Sequence, residues 1–213
     1  MAITQIQKII INDLGSKNFK DVWNMQKILQ KKRINDEIQD TLLLVEHEPV
    51  YTLGKNANQN HLLQSRNRKI KIYNTDRGGD ITFHGPGQLV GYPILDLNNY
   101  IKSVSWYMRN LEELIIKVIG EFGIIGNRIE GLTGVWVNNQ KIGAQGVRIS
   151  RWVTMHGFSI NVSPDLSCYD GIIPCGIFNY GVTSMKELLN KKPNIDEVKN
   201  TTVEIFNQLF DNK

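Results

Sequence analysis

Cysteine is nearly absent: the 213 residues include two, Cys168 and Cys175. So sparse a pair excludes a disulfide framework, and with no CxxC pair nothing points to a zinc site or any other metal. Long apolar runs are missing too. No stretch approaches the length needed to span a bilayer, and Met1-Ala2-Ile3-Thr4-Gln5 does not lead a basic region into a signal core. The expectation is a cytoplasmic protein that does not contact the membrane. Repeats, low-complexity tracts and linker-like segments are absent as well, so residues 1–213 are expected to form a single domain around one core.

What is present is ordinary in bulk and unusual in detail. Hydrophobic residues make up 41% and charged residues 22%, as in a typical globular domain. The net charge is +4, with basic clusters at Lys31-Lys32-Arg33 and Arg66-Asn67-Arg68-Lys69-Ile70-Lys71. Such clusters are either solvated surface turns or a docking face for an acidic partner. Nucleic acid is not expected, because aromatic residues do not interleave with the basic ones.

Periodicity predicts a strand at Ile6–Ile11, then a helix over Phe19–Gln39 with Val22, Met25 and Leu29 on its buried face. Thr41–Glu46 is a continuous aliphatic run, the pattern of a strand buried on both faces. Val50–Gly54 and Ile70–Tyr73 read as short strands. Ser103–Phe122 is the clearest helix, with Tyr107, Leu111, Leu114 or Ile115, Val118 and Phe122 at helical spacing and Gly123 as its stop. Asn138-Asn139 joins Val135–Val137 to Gln140–Ile149 as a hairpin, since Asn tolerates left-handed backbone angles. Trp152–Val162 follows as a further strand. Ser184 with Glu187 resembles a capping box, and Asn194 with Glu197 opens a last helix burying Val198, Ile205, Phe206 and Leu209. Strands outnumber helices and come in hairpins, so the expected fold class is α+β, a mixed β-sheet with helices packed on one side.

Chemistry concentrates in Asp76-Arg77-Gly78-Gly79-Asp80-Ile81-Thr82-Phe83-His84-Gly85-Pro86-Gly87-Gln88. Paired glycines allow backbone to approach a ligand closely, a short strand follows, and a histidine ends it beside a Gly-Pro-Gly turn. A glycine-rich hairpin with a solvated Arg and His is the plain alternative. Cys175 stands between Pro174 and Gly176, off any periodic apolar face. Free cysteines are usually small buried hydrophobes, and Lys141, just after the Asn138-Asn139 turn, could equally be an exposed hairpin lysine.

Three ordered motifs decide between these readings. Arg77-Gly78-Gly79-x-x-Thr82-x-His84-x-Pro86-Gly87-Gln88 resembles the signature of bacterial octanoyltransferases, also called lipoyl(octanoyl) transferases. Lys141-Ile142-Gly143-Ala144 with Gly146 and His156-Gly157 is a second match, and Ile173-Pro174-Cys175-Gly176 a third. The likeness runs from Leu43 to a little beyond Cys175. It implies the fold of the biotin and lipoate protein ligases. It also implies a Cys175 nucleophile assisted by Lys141, and substrate contacts at Arg77, Gly78, Gly79, Asp80, Ile81, Thr82, Phe83 and His84, at Ala144, Gln145 and Gly146, and at Gly157, Phe158 and Ser159. In this sequence Phe83 replaces a common Tyr, and Gln145 replaces a common aliphatic residue, setting a polar group beside the acyl slot. Cys168 is a bystander.

The implied reaction takes octanoyl from acyl carrier protein to a lysine of a lipoyl-domain protein, through a thioester on Cys175. The lipoyl-domain proteins are those of 2-oxoacid dehydrogenases and the glycine cleavage system. No cofactor and no ATP are expected, because thioester exchange is near thermoneutral and amide formation from a thioester is downhill. An ATP-dependent lipoate or biotin ligase of the same fold is the alternative, although the GRGRxG loop of biotin ligases is missing. A non-catalytic acyl-binding module would leave the Cys–Lys pair idle.

Overall fold

The computed structural model describes residues 9–174 and 180–210. Its strands are β1 (Ile10–Lys17), β2 (Thr41–His47), β3 (Val50–Leu53), β4 (Lys71–Asn74), β5 (Ile81–His84), β6 (Gln88–Ile94), β7 (Val135–Val137), β8 (Gln140–Ser150), β9 (Val153–Asn161) and β10 (Gly181–Val182). Its helices are α1 (Phe19–Ile34), α2 (Val104–Glu121), α3 (Met185–Leu189) and α4 (Ile195–Phe210). Among the described residues, seven strands form a mixed sheet in the order β1-β2-β6-β9-β8-β10, with β7 paired to β8. A second sheet has the order β4-β3-β5. The α+β class is as expected. None of the described helices is long and apolar enough to cross a membrane.

The helices lie on both faces of the large sheet, not on one. Successive strand residues point to opposite faces. Leu42 and Leu44 of β2 pack with Leu111, Ile115 and Val118 of α2, while Leu43 and Val45 pack with Val22 of α1. The continuous aliphatic run of β2 is therefore covered twice, as a doubly buried strand must be.

Helix α1 departs furthest from its periodicity. It stops at Ile34 rather than Gln39, because Asp36 takes a left-handed φ of 60°. Met25 is 41% exposed, and the residues turned inward beyond Val22 are Gln26, Gln30 and Arg33. Arg33 is paired with Asp36, Asp40 and Asp96, so one member of the first basic cluster is a buried structural ion. Of the other local signals, the Ser184 cap, the Gly123 stop and the Asn138-Asn139 turn hold, while the last helix buries Phe210 and leaves Leu209 half-buried. Ser103 caps α2 by accepting from the Trp106 N–H, Ser184 accepts from the Glu187 N–H, and Gly123 has φ +79°. Asn138 and Asn139 have φ of 48° and 63°, as a tight hairpin needs. Of the strand expected at Ile6–Ile11, residues 6–8 lie outside the described residues, and β1 starts at Ile10 and continues to Lys17.

Candidate active site

The small sheet and the loop before β5 face the large sheet across a cavity of about 480 Å³, within the usual size of small-ligand pockets. One wall is Arg77 to Thr82 with His84, and the other is β8 and β9 at Ala144 to Val147 and His156 to Ser159. Phe19, Val90 and Tyr92 close one end, Val104 and Met108 of α2 with Leu132 and Thr133 border the side, and Lys141 lines it too. From Lys141 to Val147, β8 advances about 20 Å, enough for an eight-carbon chain.

One described residue named from the sequence is not on these walls. Phe83 is buried on the other face of β5, edge-on to Tyr169 and tilted against Tyr51. Its replacement of a Tyr therefore takes no hydroxyl from the cavity. Cys175 lies outside the described residues. The space beside Lys141, Thr82, Ala144 and Ser159 is also bordered by Asn161, Tyr169 and Pro174, the residue before Cys175. Lys141 thus lies on the same small space as Pro174, the last described residue before Cys175. Lys141 is 7% exposed, and its ammonium lies 4.6 Å from the Trp136 ring centroid.

The glycines serve close backbone packing more than open room. A Cβ on Gly157 would lie 2.2 Å from the Gly91 carbonyl oxygen, and one on Gly146 would lie 2.9 Å from that of Gly78. The Gly78 N–H donates to the Val147 carbonyl at 2.9 Å, sewing the loop to the edge of β8. Arg77 is committed to the scaffold: its guanidinium donates to the Thr52 carbonyl at 2.6 Å and hydroxyl at 2.9 Å, and to the Gly78 carbonyl at 3.0 Å. Asp80 accepts from the Asn58 and Ile81 N–H groups and pairs with His61. Gln145 donates to buried Glu112 at 2.7 Å, which also holds Arg109 and Arg128. Its amide N–H is thereby anchored to α2.

His84 lines the cavity as a buried, hydrogen-bonded ring. Its Nδ1–H donates to Gln88 Oε1 at 2.7 Å, its ring stacks on Phe19 at 6.3 Å, and burial drives its pKa down to about 3. His47 accepts from the Tyr92 hydroxyl at 2.8 Å and donates to the Lys17 carbonyl, and burial lowers it to about 4. The Phe19, Tyr92 and His84 part of the cavity is therefore aromatic, with Arg77 as the nearby charge.

His156 and Asp76 were in view in the sequence but were not assigned to the site. His156 has φ +59°, a strained setting for a residue with a Cβ. The β6–β9 ladder explains it. Regular pairing ends at Gly91 opposite Phe158, and Pro93 has no N–H to offer. Thr154 bridges the gap by donating to the Pro93 carbonyl at 2.7 Å and accepting from the Leu95 N–H at 2.9 Å. The stray His156 N–H goes to Gln26 of α1 at 2.9 Å. The turned ring donates to Asp76 at 2.8 Å, and Asp76 also accepts from Trp23 at 3.2 Å and Arg148 at 2.8 Å. These contacts, the His156 hydrogen bond first, hold the Asp76 carboxyl well below the usual carboxylate range, while burial keeps His156 below its ordinary value. Among the described residues no group of three or more His, Cys, Asp or Glu side chains could hold a metal ion.

A mixed sheet with a slot between it and a small second sheet is the architecture of the lipoate and biotin protein ligases. The crystal structure of P. falciparum LipL1 in complex with lipoate superposes with a TM-score of 0.73 at 14% identity, over 95% of this chain and 62% of that one. Lipoate-protein ligase A bound with ATP gives 0.69 at 12% identity, over 96% and 85%. Residues 18–207 match the family model of the lipoyl protein ligase A/B catalytic domain. An octanoyltransferase of Gloeobacter violaceus is 47% identical over 80% of this chain and 77% of its own length. One from Flavobacterium psychrophilum is 45% identical over 95% and 97%. The chain belongs to the lipoyl protein ligase A/B catalytic-domain family and, within it, to the octanoyltransferases.

Proposed function

We propose that this enzyme transfers an octanoyl group from acyl carrier protein to a lysine of a lipoyl-domain protein, with Cys175 as the acyl carrier and Lys141 as its proton partner. The observation that carries this is Lys141: a nearly buried cation on an apolar slot, at the end that Pro174 borders. Charge proximity favours the Cys175 thiolate. The thiolate attacks the octanoyl thioester, and the departing carrier thiol takes the proton of Lys141. Lys141, now neutral, accepts a proton from the incoming lysine amine as it attacks the acyl-enzyme, and the Cys175 thiolate leaves. Burying about six methylenes of the chain at roughly 0.8 kcal/mol each contributes on the order of 5 kcal/mol to holding it.

Intact-mass measurement after incubation with octanoyl-acyl carrier protein tests the reading. One octanoyl adduct is expected on the wild type and none on Cys175→Ala. An unlabelled wild type, or a labelled variant, sinks it.

A further inference from the structure

Residues 49–75 carry Lys55, Arg66, Arg68, Lys69 and Lys71 and not one acidic side chain. The net charge of the chain is +4, so this single segment more than accounts for its positive excess. Lys55, Arg68, Lys69 and Lys71 are exposed. The other basic cluster differs, because Arg33 is buried among three aspartates. Glu48 and Asp170 border the patch and Asp80 is taken up by His61 and the Asn58 N–H, too few to cancel it.

The fold ties residues 61–66 of this segment to the stretch that ends at Pro174, while Lys69 and Lys71 lie beside Phe19 and Glu48. The Leu63 N–H donates to the Gly171 carbonyl at 3.0 Å, and the Ile173 N–H to the His61 carbonyl at 2.8 Å. Arg66 lies against Gly171, where a Cβ would come 2.7 Å from its own Cβ. Two residues separate Gly171 from Pro174, and the three steps reach at most about 10 Å. On the other side, the Lys55 N–H donates to the Arg77 carbonyl at 2.9 Å, tying the segment to the cavity wall.

We propose that this patch, with Arg66, Arg68 and Lys69 at its centre, docks the acyl donor: an acidic carrier protein whose acyl thioester rides on a phosphodiester-linked arm. The proposal rests on the octanoyl-transfer reading above. Guanidinium groups match a phosphodiester in geometry and charge. The acceptor fits less well, since the group it must insert is itself a lysine ammonium. A one-signed patch beside the cavity also speeds encounter with an acidic carrier, and salt screens that effect.

The test is the double charge reversal Arg68→Glu/Lys69→Glu, with Lys31→Glu/Lys32→Glu as the control on α1. KM for octanoyl-carrier protein should rise at least about tenfold and lose much of its salt dependence. Turnover of octanoyl-pantetheine, a thioester without the protein, should match wild type, as should KM for the lipoyl-domain acceptor. An unchanged carrier KM overturns the proposal. So does a rise in the acceptor KM instead, or an equal loss with octanoyl-pantetheine. Failure of the wild type to take octanoyl from the carrier would instead sink the function reading, whatever the variants do.

Discussion

Lys141 and the two cysteines show how far single residues can be read. A lysine after a hairpin turn is ordinarily a surface group, and only the fold shows this one nearly buried against Trp136 on the cavity wall. Lys141→Ala should lower steady-state octanoyl transfer by at least about a hundredfold, and a near-wild-type rate would remove the amine from the mechanism. Cys168 is the internal control. Burial, with Asp165 and Asp170 nearby, pushes its thiol above the ordinary value and away from the thiolate. Cys168→Ser should leave the same transfer rate within about twofold of wild type, inside the scatter expected of a residue outside the chemistry. The glycine motif was visible as residue types. Which of its members touch the cavity was not, because strand alternation turns Phe83 away from Thr82 and His84.

At the scale of elements, α1 is the one whose pattern misleads. Its inward face is largely amide and guanidinium, so a count of apolar spacing places Met25 inside and overlooks Gln26. The reason lies in another element: β6 and β9 part at Pro93, and Gln26 supplies the acceptor that the His156 N–H lacks. Gln26→Leu should cost about 1–3 kcal/mol of unfolding free energy in urea, the penalty for an orphaned buried donor. Met25→Ala, at an exposed site, should cost less than about 1 kcal/mol. Equal losses would return the helix to the simple apolar reading. Helix α2 behaves in the opposite way, since its inward stripe is aliphatic and aromatic apart from Glu112, which anchors Gln145 and two arginines.

Across the whole molecule the buried histidines make stability depend on acid. His47 and His84 fall from the ordinary 6.5 to about 4 and about 3, chiefly by burial, and His156 is lowered for the same reason. A lowered histidine pKa means that below about pH 6.5 the unfolded chain binds a proton the folded protein refuses. Stability is therefore indifferent to these groups above that pH and declines as pH falls, by on the order of 2–3 kcal/mol for each of His47 and His84 near pH 4.5. Asp76, whose pKa is depressed, contributes above the ordinary carboxylate range and loses that contribution only in stronger acid. Urea midpoints should stay level from pH 7.5 to about 6.5 and then fall down to pH 4.5, and a profile flat throughout would show that these rings are hydrated. By itself the sequence determined what is written in local chemistry: the cap at Ser184, the Asn138-Asn139 hairpin, the doubly buried run of β2, and the residue types of the glycine motif. Only the tertiary structure decided that α1 and α2 sandwich the sheet and that His156 turns to Asp76. It likewise set the basic segment beside Pro174. Each of these depends on partners tens of residues away, and no local preference encodes which distant backbone group will be left without a hydrogen bond.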